Sequence, residues 1–145
     1  MAVTLSLCIP TLNRAAYIGE TLDSIVAQAT DAVEIVVVDG GSTDGTEEIV
    51  RNWQHRFPRL RYHRRERNLG VERDTDKAVE LAQGAYCWLM TSDDVLRPGA
   101  IRVVLDAIGA GHQLVVVNVE VRDLELRRLL EPSKLGNIEI GRAHV

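Results

Sequence analysis

Three consecutive valines, Val36-Val37-Val38, run directly into Asp39, and no other stretch restricts the fold as much. A strand with one face in water alternates apolar and polar residues. Ile35 to Val38 does not alternate, which is the pattern of a parallel strand covered by helices on both sides. Val3 to Ile9 reads the same way, and Pro10, which has no amide hydrogen to give to a ladder, is expected to stop it and open a Pro-Thr-Leu-Asn loop. Tyr86 to Thr91 is a further run of this kind, too short for a helix, and it leads into Asp93 and Asp94.

Between these runs the apolar period lengthens to that of a helix. From Ala16 onward, Ile18, Leu22, Ile25, Val26 and Ala29 share one helical face, with Asn13 as a candidate cap. Thr46, Ile49, Val50, Trp53 and Phe57 mark a second helix, closed by Pro58. Leu60 to His63 is a weaker strand, and a third helix carries Ala78, Val79, Leu81 and Ala82 and ends at Gly84 as its C′ residue. Pro98 suits the first turn of a fourth helix, and Leu114 to Val119 is expected to be one more strand. Strand and helix in alternation predict an α/β fold: a doubly wound, mostly parallel, Rossmann-like sheet with helices on both faces. One such unit is expected over residues 1–122, and the rhythm is lost over 123–139. Residues 140–145, Ile-Gly-Arg-Ala-His-Val, read as a translated sequencing adapter and are set aside as a non-native tail.

A net charge of −4 and a pI near 5.6 argue against nucleic acid as a partner. The basic run from Arg59 to Arg67 is read as a solvated edge strand. Cys8 and Cys87 each lie in an apolar strand and are expected to be buried free thiols. Met1 to Ile9 lacks the pattern of a secretory leader, and nothing approaches a membrane span, so a cytoplasmic protein is expected, at most peripheral to the inner face of the membrane.

In an open α/β sheet the ligand crevice lies beyond the carboxyl ends of the strands. Asp39 and the pair Asp93-Asp94 both stand at such ends and are expected to face one crevice. Adjacent carboxylates repel, and a divalent ion, Mg2+ or Mn2+, best matches an oxygen-only pair. The alternative is a solvated turn that caps the helix after Pro98. Gly40 and Gly41 let the backbone approach a ligand closely. No dinucleotide fingerprint and no phosphate-loop motif accompanies them.

Four ordered motifs carry a resemblance. Cys8-Ile-Pro-Thr-Leu-Asn-Arg14, Glu34-Ile-Val-Val-Val-Asp-Gly-Gly-Ser-Thr-Asp44, Asn68-Leu-Gly70 and Ala85-Tyr-Cys-Trp-Leu-Met-Thr-Ser-Asp-Asp94 resemble the GT-A glycosyltransferases of family 2. The kinship is strongest with the abequosyltransferase-like members that build bacterial surface polysaccharides. The resemblance implies a metal-dependent, inverting transfer of sugar from a nucleoside diphosphate sugar to a saccharide or lipid-linked acceptor. It implies that Pro10, Thr11 and Asp39 meet the nucleotide, with Asp39 accepting a hydrogen bond from the base. Asn13, Arg14, Gly41, Ser42, Asn68 and Gly70 fall in the same motifs and are carried as substrate-binding. Asp94 is assigned to the metal, with Asp93 beside it towards the ribose or the sugar. Arg73 is either a second cation for the diphosphate or an exposed residue at a helix start. The family often has aspartate where Gly40 and Thr91 stand, so metal binding rests on Asp93 and Asp94. No residue after Val119 offers a convincing general base, and this stretch alone is expected to bind a nucleotide but to transfer sugar poorly. Two other readings are a non-catalytic nucleotide-binding module and a receiver-like signalling domain, whose acidic pair should instead follow the first strand.

Overall fold

The computed structural model describes residues 2–132. Two compact units divide the chain after Arg102. The first alternates β1 (Leu5–Thr11), α1 (Ile18–Val26), β2 (Val33–Asp39), α2 (Thr46–Arg56), β3 (Leu60–Arg64), α3 (Val71–Leu81) and β4 (Tyr86–Leu89), and α4 (Ala100–Gly109) begins where that unit ends. The second unit contains an antiparallel ribbon of β5 (Val121–Arg122) and β6 (Leu129–Glu131).

The four strands of the first unit form one parallel sheet in the order β3-β2-β1-β4. Valine-rich β2 is buried along its whole length and β1 nearly so, because both are interior strands covered on both faces. On one face α3 lays Ala78, Leu81 and Ala82 over Cys8, Val36 and Val38. The other receives α1 and α2, which pack side by side where Gly19 meets Ile49. This is the doubly wound α/β architecture expected, with β3 as the edge strand foreseen for the basic run.

Pro10 does not stop β1, which runs on to Thr11. The Cys8 carbonyl accepts from Met90 on the β4 side, while the Thr11 carbonyl accepts from Gly40 on the β2 side. Pro10 therefore faces the β4 side, where pairing has already ended at Leu89, and its missing amide costs no ladder bond. Leu114 to Val119 forms no strand, and Leu114, Val116, Val117 and Val119 stay exposed. A run of β-formers becomes a strand only where an edge receives it. Cys87 is exposed rather than buried, because β4 is an edge strand whose Cys87 and Leu89 alternate to an uncovered face.

Gly84 also has a different role from the one its sequence suggested, since α3 is capped by an extended Ala82. A Cβ on Gly84 would stand 2.9 Å from the Ser6 amide nitrogen, so the residue is glycine because two backbones nearly touch. A buried polar clamp fixes that crossing. Glu34 Oε1 accepts from Ser6 Oγ and from the Gln83 amide, each at 2.6 Å, and Ser6 Oγ accepts from the Gly84 amide at 2.9 Å. Arg61 completes the clamp at Glu34 Oε2, 2.8 Å away. The tail at 140–145 lies outside the described residues.

Candidate active site

The parallel register puts the carboxyl ends of β1, β2 and β4 at one edge of the sheet, with Thr11 paired to Asp39. Asp39 stands at this edge but turns inward, with no exposed surface. Its Oδ1 accepts from the Gly41 amide at 3.0 Å, the Ser42 amide at 2.7 Å and Ser42 Oγ at 2.7 Å. Tyr62 donates its hydroxyl to Oδ2 at 2.5 Å. A carboxylate has about four lone-pair positions, so a direct base contact has only the remaining lone pair of Oδ2 to use. Tyr62 is held in its donor form, because burial first and the Asp39 carboxylate second push its titration well above the ordinary phenol range.

The loop after Asp39 is laced to the loop after Thr11. The Asn13 amide donates to Ser42 Oγ at 2.9 Å, and Asn13 Oδ1 accepts from the Thr43 amide at 2.9 Å. Asn13 thus ties two loops together instead of capping α1, whose N-cap is Tyr17. Arg14 and Ala15 donate their amides to Thr46 Oγ1 and Asp44 Oδ2, both at 3.0 Å. Asp44 in turn accepts from Thr46 Oγ1, and that hydrogen bond holds its carboxyl below the usual range. Gly41 takes a φ of 98°, a left-handed turn open to few other residues, with the Arg65 carbonyl close above it.

The lacing reaches the second acidic tip through Arg14, whose Nε lies 4.0 Å from Asp93 Oδ2. Asp93 and Asp94 are both exposed. Their segment is gripped by one edge of α1 and the turn that follows it. Thr21 Oγ1 donates to the Ser92 carbonyl at 3.0 Å, Ser24 Oγ accepts from the Leu96 amide at 3.1 Å, and Gln28 bonds both the Arg97 carbonyl and the Ile101 amide at 3.1 Å. Among the described residues no third acidic, histidine or cysteine side chain joins these two carboxylates in a group.

The remaining expected residues divide. Thr11 is buried, and its Oγ1 is the one sealed side-chain polar atom without a hydrogen bond among the described residues. Asn68 folds back to accept from the Gly70 amide at 2.9 Å and lies near Gly40. Pro10 stays within β1. Arg73 is exposed in the first turn of α3, and no ion pair joins it to Asp93 or Asp94. Three contributors were not foreseen: Tyr62, Thr21 and the Arg65–Asp74 pair, in which Arg65 Nε lies 3.1 Å from Asp74 Oδ1. Tyr62 alone left a trace, as the apolar member of an alternating edge strand. Asp74 also accounts for glycine at 40, since a Cβ there would stand 2.9 Å from Asp74 Oδ2.

Known proteins are similar to this chain in sequence and fold. The abequosyltransferase RfbV of Salmonella typhimurium is 41% identical over 104 residues, 69% of this chain and 31% of that protein. The chondroitin synthase of Escherichia coli is 31% identical over 120 residues, 83% of this chain and 17% of the synthase. The chain therefore spans a third or less of these curated relatives. Among solved structures, S. aureus TarS in complex with UDP-GlcNAc superposes with a TM-score of 0.70 at 29% identity, over 74% of this chain and 32% of that one. The mannosyltransferase PcManGT from Pyrobaculum calidifontis in complex with GDP-Man and Mn2+ superposes with a TM-score of 0.68 at 28% identity, over 86% and 38%. With the family model for glycosyl transferase family 2 matching residues 6–142, the chain belongs to that family.

Proposed function

We propose that the chain carries the donor-binding part of a glycosyltransferase that passes sugar from a nucleoside diphosphate sugar to an acceptor hydroxyl, inverting the anomeric carbon. The acceptor is a saccharide or lipid-linked saccharide of a bacterial surface polysaccharide, the setting suggested by the relatives' names. The observation that carries the reading is the continuous connection from Asp39 through Ser42, Asn13 and Arg14 to Asp93. It links two acidic strand ends at one edge of the sheet, which supports the reading that a single extended ligand meets both.

Each residue then has a task. Asp39 and Ser42 shape the turn that lies against the nucleoside, and the unpartnered Thr11 hydroxyl offers a hydrogen bond beside it. Arg14, about half exposed, brings a positive charge to the diphosphate side. Asp94, with Asp93, would hold a divalent ion, which when bound supplies Lewis-acid neutralisation of charge on the departing diphosphate. Arg14 Nε also stands 4.0 Å from Asp93 Oδ2 at this exposed edge, a loose pair that a diphosphate would compete for. We place the protein in the cytoplasm, where activated sugars are made; among the described residues no helix is long and apolar enough to cross a membrane.

Calorimetric titration with UDP, GDP, CDP and TDP, each with and without Mn2+, tests the reading. Asp94→Asn is expected to remove the metal-dependent part of the affinity. Asp39→Ala is expected to weaken every nucleotide, by about tenfold or more, with or without metal. Circular dichroism checks that each variant is folded. Parent-like binding by both variants would show the crevice to be wrongly assigned.

A further inference from the structure

Successive amides in the loop after β1 are received by side chains of one short segment. Asn13 donates to Ser42 Oγ at 2.9 Å, Arg14 to Thr46 Oγ1 at 3.0 Å and Ala15 to Asp44 Oδ2 at 3.0 Å. Neither Asp44 nor Thr46 has a task in the donor-site reading. Thr46 is fully buried, and its hydroxyl serves twice: it donates to Asp44 Oδ1 at 2.6 Å and accepts from the Arg14 amide. Asp44 Oδ1 also accepts from the Thr46 amide at 3.1 Å. The direction matters, because a hydroxyl has one proton to give. The acceptor-only carboxylate takes that proton, so a lone pair of Oγ1 faces the Arg14 N–H. Asp44 thus orients the hydroxyl that holds Arg14 and receives the next amide itself.

The result is a backbone fixed on both sides of one residue. Thr46 holds the Arg14 amide, and the Arg14 carbonyl accepts from the amides of Tyr17 at 3.0 Å and Ile18 at 2.9 Å. Just before it, Asn13 takes a φ of 51°, a left-handed turn that few residues other than glycine and asparagine adopt. A surface loop that only joins a strand to a helix can leave its amides to water, whereas here they are taken up by one partner segment. The Arg14 side chain is the opposite case. It is about half exposed, and its one ion pair among the described residues is the 4.0 Å contact with Asp93. A long side chain has less freedom to lose on meeting an anion when its backbone is already held.

We propose that Thr46 and Asp44 are positioning residues of the donor site, which hold the Arg14 backbone so that its guanidinium meets the diphosphate. The proposal rests on the reading of this crevice as a nucleotide site with Arg14 on the diphosphate side, and it names the residues through which that charge is placed. Calorimetry on the 145-residue chain with UDP, GDP, CDP and TDP, each with Mn2+, identifies the nucleotide bound most tightly, which is the probe for the variants. Thr46→Val removes the hydroxyl and keeps the branched shape. It should weaken that nucleotide at least fivefold in the parent but less than twofold in an Arg14→Ala background. Thr46→Ser keeps the hydroxyl and should bind within twofold of the parent. A merely structural Thr46 would act on the whole crevice, and its loss would persist without Arg14. Circular dichroism checks folding. If Thr46→Val does not fold, Asp44→Asn, at an exposed position, takes its place in the same two backgrounds: whichever way the amide turns, it sets a donor against Ala15 or against Thr46. Parent-like binding by the variant, a loss that persists in Arg14→Ala, or a Thr46→Ser chain as weak as Thr46→Val overturns the proposal. Parent-like binding by Arg14→Ala overturns it too, and leaves the donor-site reading standing where Asp39→Ala still weakens the nucleotide. A parent chain that binds none of the four overturns both.

Discussion

Asp39 holds its own loop with Oδ1 and takes its fourth hydrogen bond, at Oδ2, from Tyr62, 23 residues along the chain. A hydrogen bond to a charged acceptor contributes about 1.5–3 kcal/mol, so Tyr62→Phe is expected to lower stability within that range in urea titration. The same bond fixes a pH dependence. Burial and Asp39 both disfavour the phenolate, so the hydroxyl titrates higher in the folded chain than in the unfolded one. A raised value means that the stabilisation is complete below the unfolded phenol value of about 10 and is lost as the pH rises beyond it. Urea midpoints measured from about pH 8 to 11 should fall more steeply for the parent than for Tyr62→Phe at the alkaline end. A parallel fall would show that the phenol does not carry the effect.

Among the elements, β1 and β2 could be read from the sequence because burial on both faces leaves a run of apolar residues that only a covered strand explains. The same logic placed Asp39 and the Asp93-Asp94 pair at one edge, since each follows such a run. What the sequence could not display is direction and partnership. Pro10 stays in β1 because its nitrogen faces the side where β4 has ended, and no local pattern tells which way an amide points. Leu114 to Val119 has the composition of a strand but no edge that receives it among the described residues. Thr21 meets the Ser92 carbonyl across 71 residues of sequence, and Arg65 meets Asp74 only once α3 has docked. The crossing of β1 and the segment before β4 gives the test at this scale. In Gly84→Ala the new methyl meets the Ser6 amide nitrogen and the Leu5 carbonyl carbon, backbone atoms that cannot rotate away. Thermal or urea unfolding should show a loss of about 1–3 kcal/mol, the usual cost of overpacking. An unchanged midpoint would mean that the two segments are not held as described.

For the whole molecule, the sheet order decides which parts of the interior meet reagents. Cys8 lies in β1, one of the two interior strands, and burial, with the neighbouring Cys87 thiol adding to it, pushes its thiol up to about 12. Cys87 lies on the outermost strand and is exposed. Alkylation of the native chain at neutral pH, read by mass spectrometry, should label Cys87 alone, and unfolding in urea should release the second site. Labelling of Cys8 in the native chain would place β1 at an edge and contradict the strand order. The order also explains why the segment bearing Asp93 and Asp94 needs outside support, since it leaves a strand with a neighbour on one side only. That support is Thr21 and Ser24 on α1 and Gln28 in the turn just beyond its end. The backbone on both sides of the acidic pair is consequently tied to a packed helix, so amide exchange at Leu96 and Ile101 should follow the opening of α1 and not that of a free loop.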